Sequence, residues 1–278
     1  MLKVDLHCHS NVSDGVLPPA KVAQVARAGG VDVWALTDHD EVGGIAAARL
    51  AAGGDQGMRF VTGVEISITW ANETVHIVGL QIDENNEQLV QGLHQTRSGR
   101  DRRGHEIARQ LALHGIPDAY EGALKYVDNP DLISRTHFAR YIVELGLCRT
   151  VPEVFKRYLA EGKPGYVEHR WASLEQAMQW ITGAGGIPVI AHPGRYKFSS
   201  MAQGVLFDEF KQMGGAAIEV VTGSHTADQY PEYAELANRY GFLASRGTDF
   251  HAPGEARVSF AELPPLPANV KPVWHDWF

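Results

Sequence analysis

Near its start the chain reads Leu6-His7-Cys8-His9, with two imidazoles one residue apart, and near its end the same spacing returns as Asp249-Phe250-His251. Alternate side chains of an extended segment share a face. His7 and His9 therefore point one way and Cys8 the other, and Asp249 and His251 share a side in the same manner. Two protonated imidazoles held together repel, whereas two neutral ones facing a common centre suit a metal ion. A pair of surface histidines would read the same way, so the decision rests with the rest of the chain.

Between these ends lie further metal-capable residues, two within apolar runs and two at the ends of such runs. His39 sits in Thr37-Asp38-His39-Asp40, Glu65 in VTGVEIS, His76 in ETVHIVGL and His192 in IPVIAHPG. A carboxylate buried between Val64 and Ile66 needs a cation partner, which makes Glu65 more informative than His76. Asp40 is expected to cap the following helix, and one of Asp38 and Asp40 could instead orient an imidazole. Asp14, just before Gly15, suits either a ligand or a turn. Together the set offers six histidines and two or three carboxylates, and no cysteine in a ligand-like position. That is too many donors for one closed tetrahedral site. It fits two or three ions such as Mn, Fe or Zn, bridged by a carboxylate and a hydroxide. Divalent ions about 3.5–4 Å apart acidify a shared water and offset the charge of a phosphate ester, so no protein nucleophile is required. The chain has no nucleophile-elbow motif and no Gly-rich phosphate loop.

Such a set must be brought together by the elements that carry it. PPAKVAQVARAGG reads as a helix opened by Pro18-Pro19 and closed by Gly29-Gly30. VDVWALTDHD follows as a strand, EVGGIAAARLAAGG as a helix, and RFVTGVEISITW with ETVHIVGLQID as two strands joined at Ala71-Asn72. A polar helical stretch begins near Asn85. From about Ser98 to Gly165 the pattern is helical throughout, and strand–helix alternation then resumes up to FLASRGTDFH. Alternating short strands and helices imply a parallel sheet with crossover helices. About seven strands suggest an α/β fold closed, or nearly closed, into a barrel, with a doubly wound open sheet as the alternative. The expected division is a barrel from residues 1–97 and 166–278 that carries the metal site. A helical insertion, 98–165, caps it. In such folds functional groups gather where strands end and loops begin.

The chain has 278 residues, 44% hydrophobic and 21% charged, ample for one large domain with an insertion. No run approaches the roughly 20 apolar residues that span a bilayer, and the N-terminus lacks the pattern of a signal peptide. Cys8 and Cys148 make no obvious pair, and a cytoplasmic location is expected. The net charge of -8 argues against binding long duplex nucleic acid. Yet the stretch from Arg97 to Arg170 holds 13 Lys and Arg against 10 Asp and Glu, and the remainder 12 against 23. An acidic body suits cations, and a mildly basic segment suits an anionic substrate.

The ordered set His7-Cys8-His9, Asp38-His39-Asp40, Glu65, His76, His192-Pro193-Gly194 and Asp249-Phe250-His251 resembles the PHP superfamily, named for polymerase and histidinol phosphatase. The resemblance implies a distorted seven-stranded (β/α) barrel with a trinuclear site. His7, His9, Asp14, His39, Glu65, His76, His192, Asp249 and His251 match its ligand positions, and His7, His9, His39, Glu65, His192 and Asp249 would carry catalysis. The stretch Asn129-Pro130-Asp131-Leu132-Ile133-Ser134-Arg135-Thr136-His137 is similar to the branch that acts on nucleotides. That branch includes nucleoside 3',5'-bisphosphate phosphatases, some of which trim RNA from a 5'-phosphorylated end. The substrate implied is a small nucleotide or short 5'-phosphorylated oligonucleotide, with manganese as the expected ion and zinc or iron as alternatives. Asp14, Ser134, Arg135, Thr136, His137, Arg195 and His225 are its expected contacts, and Arg102, Arg103 and Lys163 could add charge. Two hydroxyls and the planar Arg135 fork suit a phosphate that is held but not cut, although Ser134 would equally cap a helix. The rival readings are a histidinol-phosphate type of small-molecule phosphatase and a non-catalytic metal-binding regulatory module.

Overall fold

A computed structural model describes residues 2–53, 57–255 and 257–277. The Gly54 end of the second expected helix and the terminal Met1 and Phe278 lie outside the described residues. Among the described residues seven strands form one sheet: β1 (Val4–Asp5), β2 (Val33–Leu36), β3 (Arg59–Trp70), β4 (Glu73–Leu80), β5 (Ile187–Ile190), β6 (Ala217–Thr222) and β7 (Leu243–Gly247). Their spatial order is the chain order, 1 to 7. β3–β4 and β4–β5 are antiparallel, and every other neighbouring pair is parallel.

The β3–β4 hairpin turns on Ala71 and Asn72, both at positive φ (48° and 64°). A two-residue turn of that hand matches the twist of the strands it joins. It fixes the register so that Glu65 stands opposite Val78 and Ser67 opposite His76. The sheet then nearly closes on itself. Leu6 N donates to Arg246 O at 2.9 Å, Cys8 bridges Phe250 in parallel, and Asp249 N donates to His7 O. Strand order without reversal and this contact of first with last strand exclude the doubly wound open sheet. The fold is a (β/α) barrel.

Among the described residues the helices are α1 (Pro19–Ala28), α2 (Ile45–Ala52), α3 (Glu87–Arg97), α4 (Arg100–Ala112), α5 (Ala119–Leu124), α6 (Arg135–Glu144), α7 (Val151–Val154), α8 (Leu174–Gly183), α9 (Ser200–Gln212) and α10 (Gln229–Tyr240). α4 to α7 and the turn Phe155–Leu159 carry a core of their own, built on Ile107, Leu111, Phe138, Ile142, Val154 and Leu159. Each such side chain contributes about 1.5–3 kcal/mol on full burial, so this helical layer does not rely on the barrel core alone. No helix among the described residues is long and apolar enough to cross a membrane.

Closure depends on Gly247. A Cβ there would stand 2.3 Å from His7 Cβ and 2.6 Å from His7 N, so only glycine lets β7 approach the segment that carries the first histidines. Gly247→Ala is expected to destabilise the protein by about 1–3 kcal/mol through overpacking. A urea titration followed by circular dichroism checks this, and an unchanged midpoint would contradict it.

Candidate metal centre

The parallel bridge between Cys8 and Phe250 sets the two outer segments side by side. Cys8 and Phe250 turn into one apolar cluster with Trp34, whose Nε1 donates to Cys8 Sγ. The flanking residues must then turn the other way. His7 Nε2 lies 3.1 Å from His9 Nε2, and the His9 ring stacks on His251 with centroids 4.1 Å apart. His9 Nε2 lies 3.3 Å from Asp249 Oδ1. β2 delivers His39 through a parallel bridge to Glu65, β3 delivers Glu65, β4 His76, and the end of β5 His192.

Glu65 is fully buried, and five imidazoles face its two oxygens. Oε2 lies 3.3 Å from His7 and His9 and 3.0 Å from His39; Oε1 lies 2.9 Å from His76 and 3.1 Å from His192. Burial alone would raise its carboxyl. The rings of His39, His7 and His76 overcome that and hold it well below the usual carboxylate range. On the open side, burial would lower the His251 ring, but Asp14 draws it up to about 9 across 3.2 Å.

The donors fit divalent ions on geometry as well as type. His9 Nδ1, Asp14 Oδ1, His39 Nδ1, Glu65 Oε2 and His76 Nδ1 are buried with no hydrogen-bond partner, although His39 Nδ1 stands 3.0 Å from Glu65 Oε2 and His76 Nδ1 2.9 Å from Glu65 Oε1. Atoms that crowd a shared centre without donating to each other behave as ligands awaiting cations. Four overlapping groups arise: His7, Glu65 and His192; His7, His9 and Asp249; His39, Glu65 and His76; and His9, Asp14, His39 and His251. All nine residues matched to ligand positions from sequence are thus brought together.

A cavity of about 450 Å³ opens on this cluster. Ser134, Arg135, Thr136, Arg195 and Arg103 line it, as expected, together with Arg100 and Arg257. Arg103 Nε donates to Val167 O and Arg135 Nη1 to Leu159 O, and neither has a carboxylate partner among the described residues. Burial first, then Arg135 and Arg100, lowers Arg103 to about 9, and burial with Arg195 lowers Arg135. Guanidiniums pressed together without acids make an anion site. Val151, Pro152 and Phe155 add an apolar wall.

Other expectations are redirected. His137 does not line the cavity; its Nδ1 accepts from Ser134 N in a capping box at the start of α6. His225 is sealed behind it, accepting from Gly194 N and stacked on Tyr233. Arg102 and Lys163 lie outside the cavity lining. Asp40 caps no helix, since α2 begins after Gly44. It accepts from Ser67 N and Oγ and pairs with buried Arg100. Asp38 touches no imidazole; it accepts from Ser10 N, Ser10 Oγ and Ser13 Oγ, fixing the loop that carries His9 and Asp14.

Two supporting acids had escaped the sequence reading. Glu219 accepts from His7 Nδ1 at 2.8 Å and from His192 N at 2.6 Å, and Asp5 accepts from Thr248 N at 3.0 Å. A carboxylate between Ile218 and Val220 is the same signal that marked Glu65, so Glu219 was findable. Arg100, stacked over Trp171 at 4.5 Å, left no sequence signal.

The PHP domain family model matches residues 5–167. A 3',5'-nucleoside bisphosphate phosphatase from Chromobacterium violaceum is 46% identical over 276 residues, covering 99% of this chain and 96% of that protein. A 5'-3' exoribonuclease from Haemophilus influenzae is 39% identical over 275 residues, covering 99% of each. The solved structure of an amidohydrolase from Chromobacterium violaceum, with bound sulfate and no metal, superposes with a TM-score of 0.94 at 45% identity, covering 99% of this chain and 95% of that one.

Cations that bind only the folded cluster stabilise it, by about 2.7 kcal/mol for each ion present at a hundred times its dissociation constant. Adding manganese to chelator-stripped protein is therefore expected to raise the melting temperature by at least about 5 °C. Glu65→Gln should lose most of that rise. Differential scanning fluorimetry with metal analysis reads both, and superimposed melting curves with and without manganese would refute the assignment.

Proposed function

Because the chain belongs to the PHP domain family of metal-dependent phosphoesterases, we propose that it removes the 3'-phosphate from nucleoside 3',5'-bisphosphates. The observation that carries this reading is the pairing of two unlike sites in one cavity: a nine-donor cluster beside two guanidiniums that lack carboxylate partners among the described residues. His7, His9, Asp14, His39, Glu65, His76, His192, Asp249 and His251 would hold two or three divalent ions. Manganese is the proposed metal, with zinc or iron as alternatives, since nitrogen and oxygen donors accept all three. When bound there, such ions offset phosphate charge and make a water nucleophilic near neutral pH.

The protein's own part is placement. Glu65 belongs to two of the four donor groups and joins them. Glu219 holds His7 through Nδ1 and leaves its Nε2 free for the cluster. Arg135, Arg103 and the hydroxyl of Ser134 receive the 5'-phosphate, and Val151, Pro152 and Phe155 take the face of the base. That grip leaves the 3'-phosphate over the cluster. Water oxygen adds to phosphorus, the bond from phosphorus to the 3'-oxygen breaks, and the sugar leaves with a 3'-hydroxyl. The segment 98–165 acts as a cap that selects the substrate, while the barrel performs the hydrolysis.

The same bond lies at the 5' end of a 5'-phosphorylated RNA strand, where the departing phosphate remains on the next nucleotide. Near-complete alignment with a 5'-3' exoribonuclease favours this second activity, on short strands. A histidinol-phosphate type of substrate leaves Arg103 and Arg135 without a counter-anion, and a non-catalytic module leaves a complete donor set without a use.

His192→Asn is expected to abolish hydrolysis of every phosphoester. Arg135→Ala should lower kcat/KM for adenosine 3',5'-bisphosphate about 10- to 100-fold, the range for a lost charged hydrogen bond, and spare 4-nitrophenyl phosphate. Phosphate-release assays on both substrates test this. Equal losses for Arg135→Ala on the two would remove the second-phosphate assignment.

A further inference from the structure

Of the four donor groups, one contains neither Glu65 nor Asp249: His9, Asp14, His39 and His251. Its only carboxylate is Asp14, which sits on the loop after β1 and not on a strand. Two of its rings, His39 and His251, are also partly open to the cavity, at 15% and 18% exposure. This outermost position is the one the barrel supports least.

Its support comes from α6. Thr136 Oγ1 donates to Asp14 Oδ2 at 3.0 Å, and Arg140 Nη1 donates to Asp14 O at 2.7 Å. Arg140, nearly buried, makes a two-pronged pair with Glu255, through Nε at 3.1 Å and Nη2 at 3.0 Å. Glu255 lies on the loop that follows His251. One helix thus ties together the two loops that carry Asp14 and His251. The Thr136 bond also decides which Asp14 oxygen is spent. Oδ2 is taken, and Oδ1 is left buried, without a hydrogen bond, 3.2 Å from His251 Nε2 and within 4.0 Å of His9 and His39. Arg135, which lines the cavity one residue earlier, belongs to the same first turn.

We propose that Thr136 is a positioning residue for the outermost ion and that α6 couples ion binding there to anion binding at Arg135. This rests on reading the cluster as a metal centre and Arg135 as a phosphate contact. Thr136, expected from sequence to touch substrate, acts instead through Asp14. An anion that fixes the first turn of α6 fixes the Thr136 hydroxyl, which fixes Asp14 Oδ1. By linkage, an ion on Asp14 must favour the anion to the same degree.

The test is calorimetric titration of manganese into metal-stripped protein, with and without adenosine 5'-monophosphate, for wild type, Thr136→Val and Thr136→Ser. One ion step should weaken 10- to 100-fold in Thr136→Val, as is usual for a lost partner of a metal ligand, while the other steps hold. Thr136→Ser, which keeps the hydroxyl, should restore it. The nucleotide should tighten that same step at least about 5-fold in wild type and leave it unmoved in Thr136→Val. Thr136→Ala must reproduce the weakened step if valine does not fold. A Thr136→Val titration identical to wild type, or a nucleotide without effect on wild-type ion binding, overturns the coupling. Wild-type protein that takes up neither ion nor nucleotide would instead overturn the phosphoesterase reading.

Discussion

The carboxylate of Glu65 is only half satisfied by the protein: His192 Nε2 hydrogen-bonds Oε1, while buried Oε2 has no hydrogen-bond partner. Its two oxygens face five imidazoles, and His39 and His76 approach within 3.0 Å without making a hydrogen bond. An isolated carboxylate in such a place costs several kcal/mol or more. Adding protons to the rings only transfers the difficulty, because neighbouring imidazolium groups repel. Divalent cations answer both demands at once, giving the carboxylate its counter-charge and each ring a target for its lone pair. The rest of the barrel can be understood as the framework that keeps this unsatisfied centre together until cations complete it.

Backbone geometry supplies the first part of that framework. Strand alternation sends Cys8 and Phe250 outward into an apolar cluster and so sends His7, His9, Asp249 and His251 inward. A ring of buried acids supplies the second part. Asp5, Asp38 and Glu219 are each pushed up by burial, Asp5 to about 7 and Asp38 to about 6. They accept from backbone N–H groups, hydroxyls and the far side of the His7 ring. Two residues of the donor cluster also hold left-handed backbone, His192 at φ 30° and Asp249 at φ 54°. Such conformations cost about 1–3 kcal/mol each and persist where the surroundings over-determine them. Here the Glu219 bond to His192 N and the His7 bond from Asp249 N do so.

The sequence disclosed what alternation and strand ends encode. The spacing of His7 with His9 and of Asp249 with His251 carries its own geometry, and Glu65 declared itself as an acid among β-branched residues. Barrel closure was legible as strand count, but not as the Gly247 contact that permits it, because close approach of two backbones leaves no pattern in one strand. Residue type without spacing misled. His137 and His225 are polar loop or helix-start histidines, and one caps α6 while the other seals the back of β6. Asp40 reads as a helix cap from its position, yet its acceptors serve Ser67 and Arg100, contacts made across 27 and 60 residues. Only three-dimensional pairing could assign it. The same holds for Thr136, whose hydroxyl suits a phosphate until Asp14 is seen beside it.

Charge is divided in a way that bears on selectivity. The acids of the chain concentrate in the body, where the donor cluster lies, while Arg100, Arg103 and Arg135 reach the cavity from the helical segment. Burial lowers both Arg103 and Arg135, and neighbouring guanidiniums add to it, those of Arg135 and Arg100 at Arg103 and that of Arg195 at Arg135. A ligand with one phosphate can neutralise the cations of the cluster or the guanidiniums, but not both. A ligand with two phosphates on one sugar neutralises both, provided that their separation matches the span from cluster to α6. Sites of this kind discriminate less by what they grip than by what a poorer ligand leaves unpaired. On the proposed reading, the discrimination would reside in Arg103 and Arg135, which belong to the helical segment, while the barrel would keep its donor cluster unchanged.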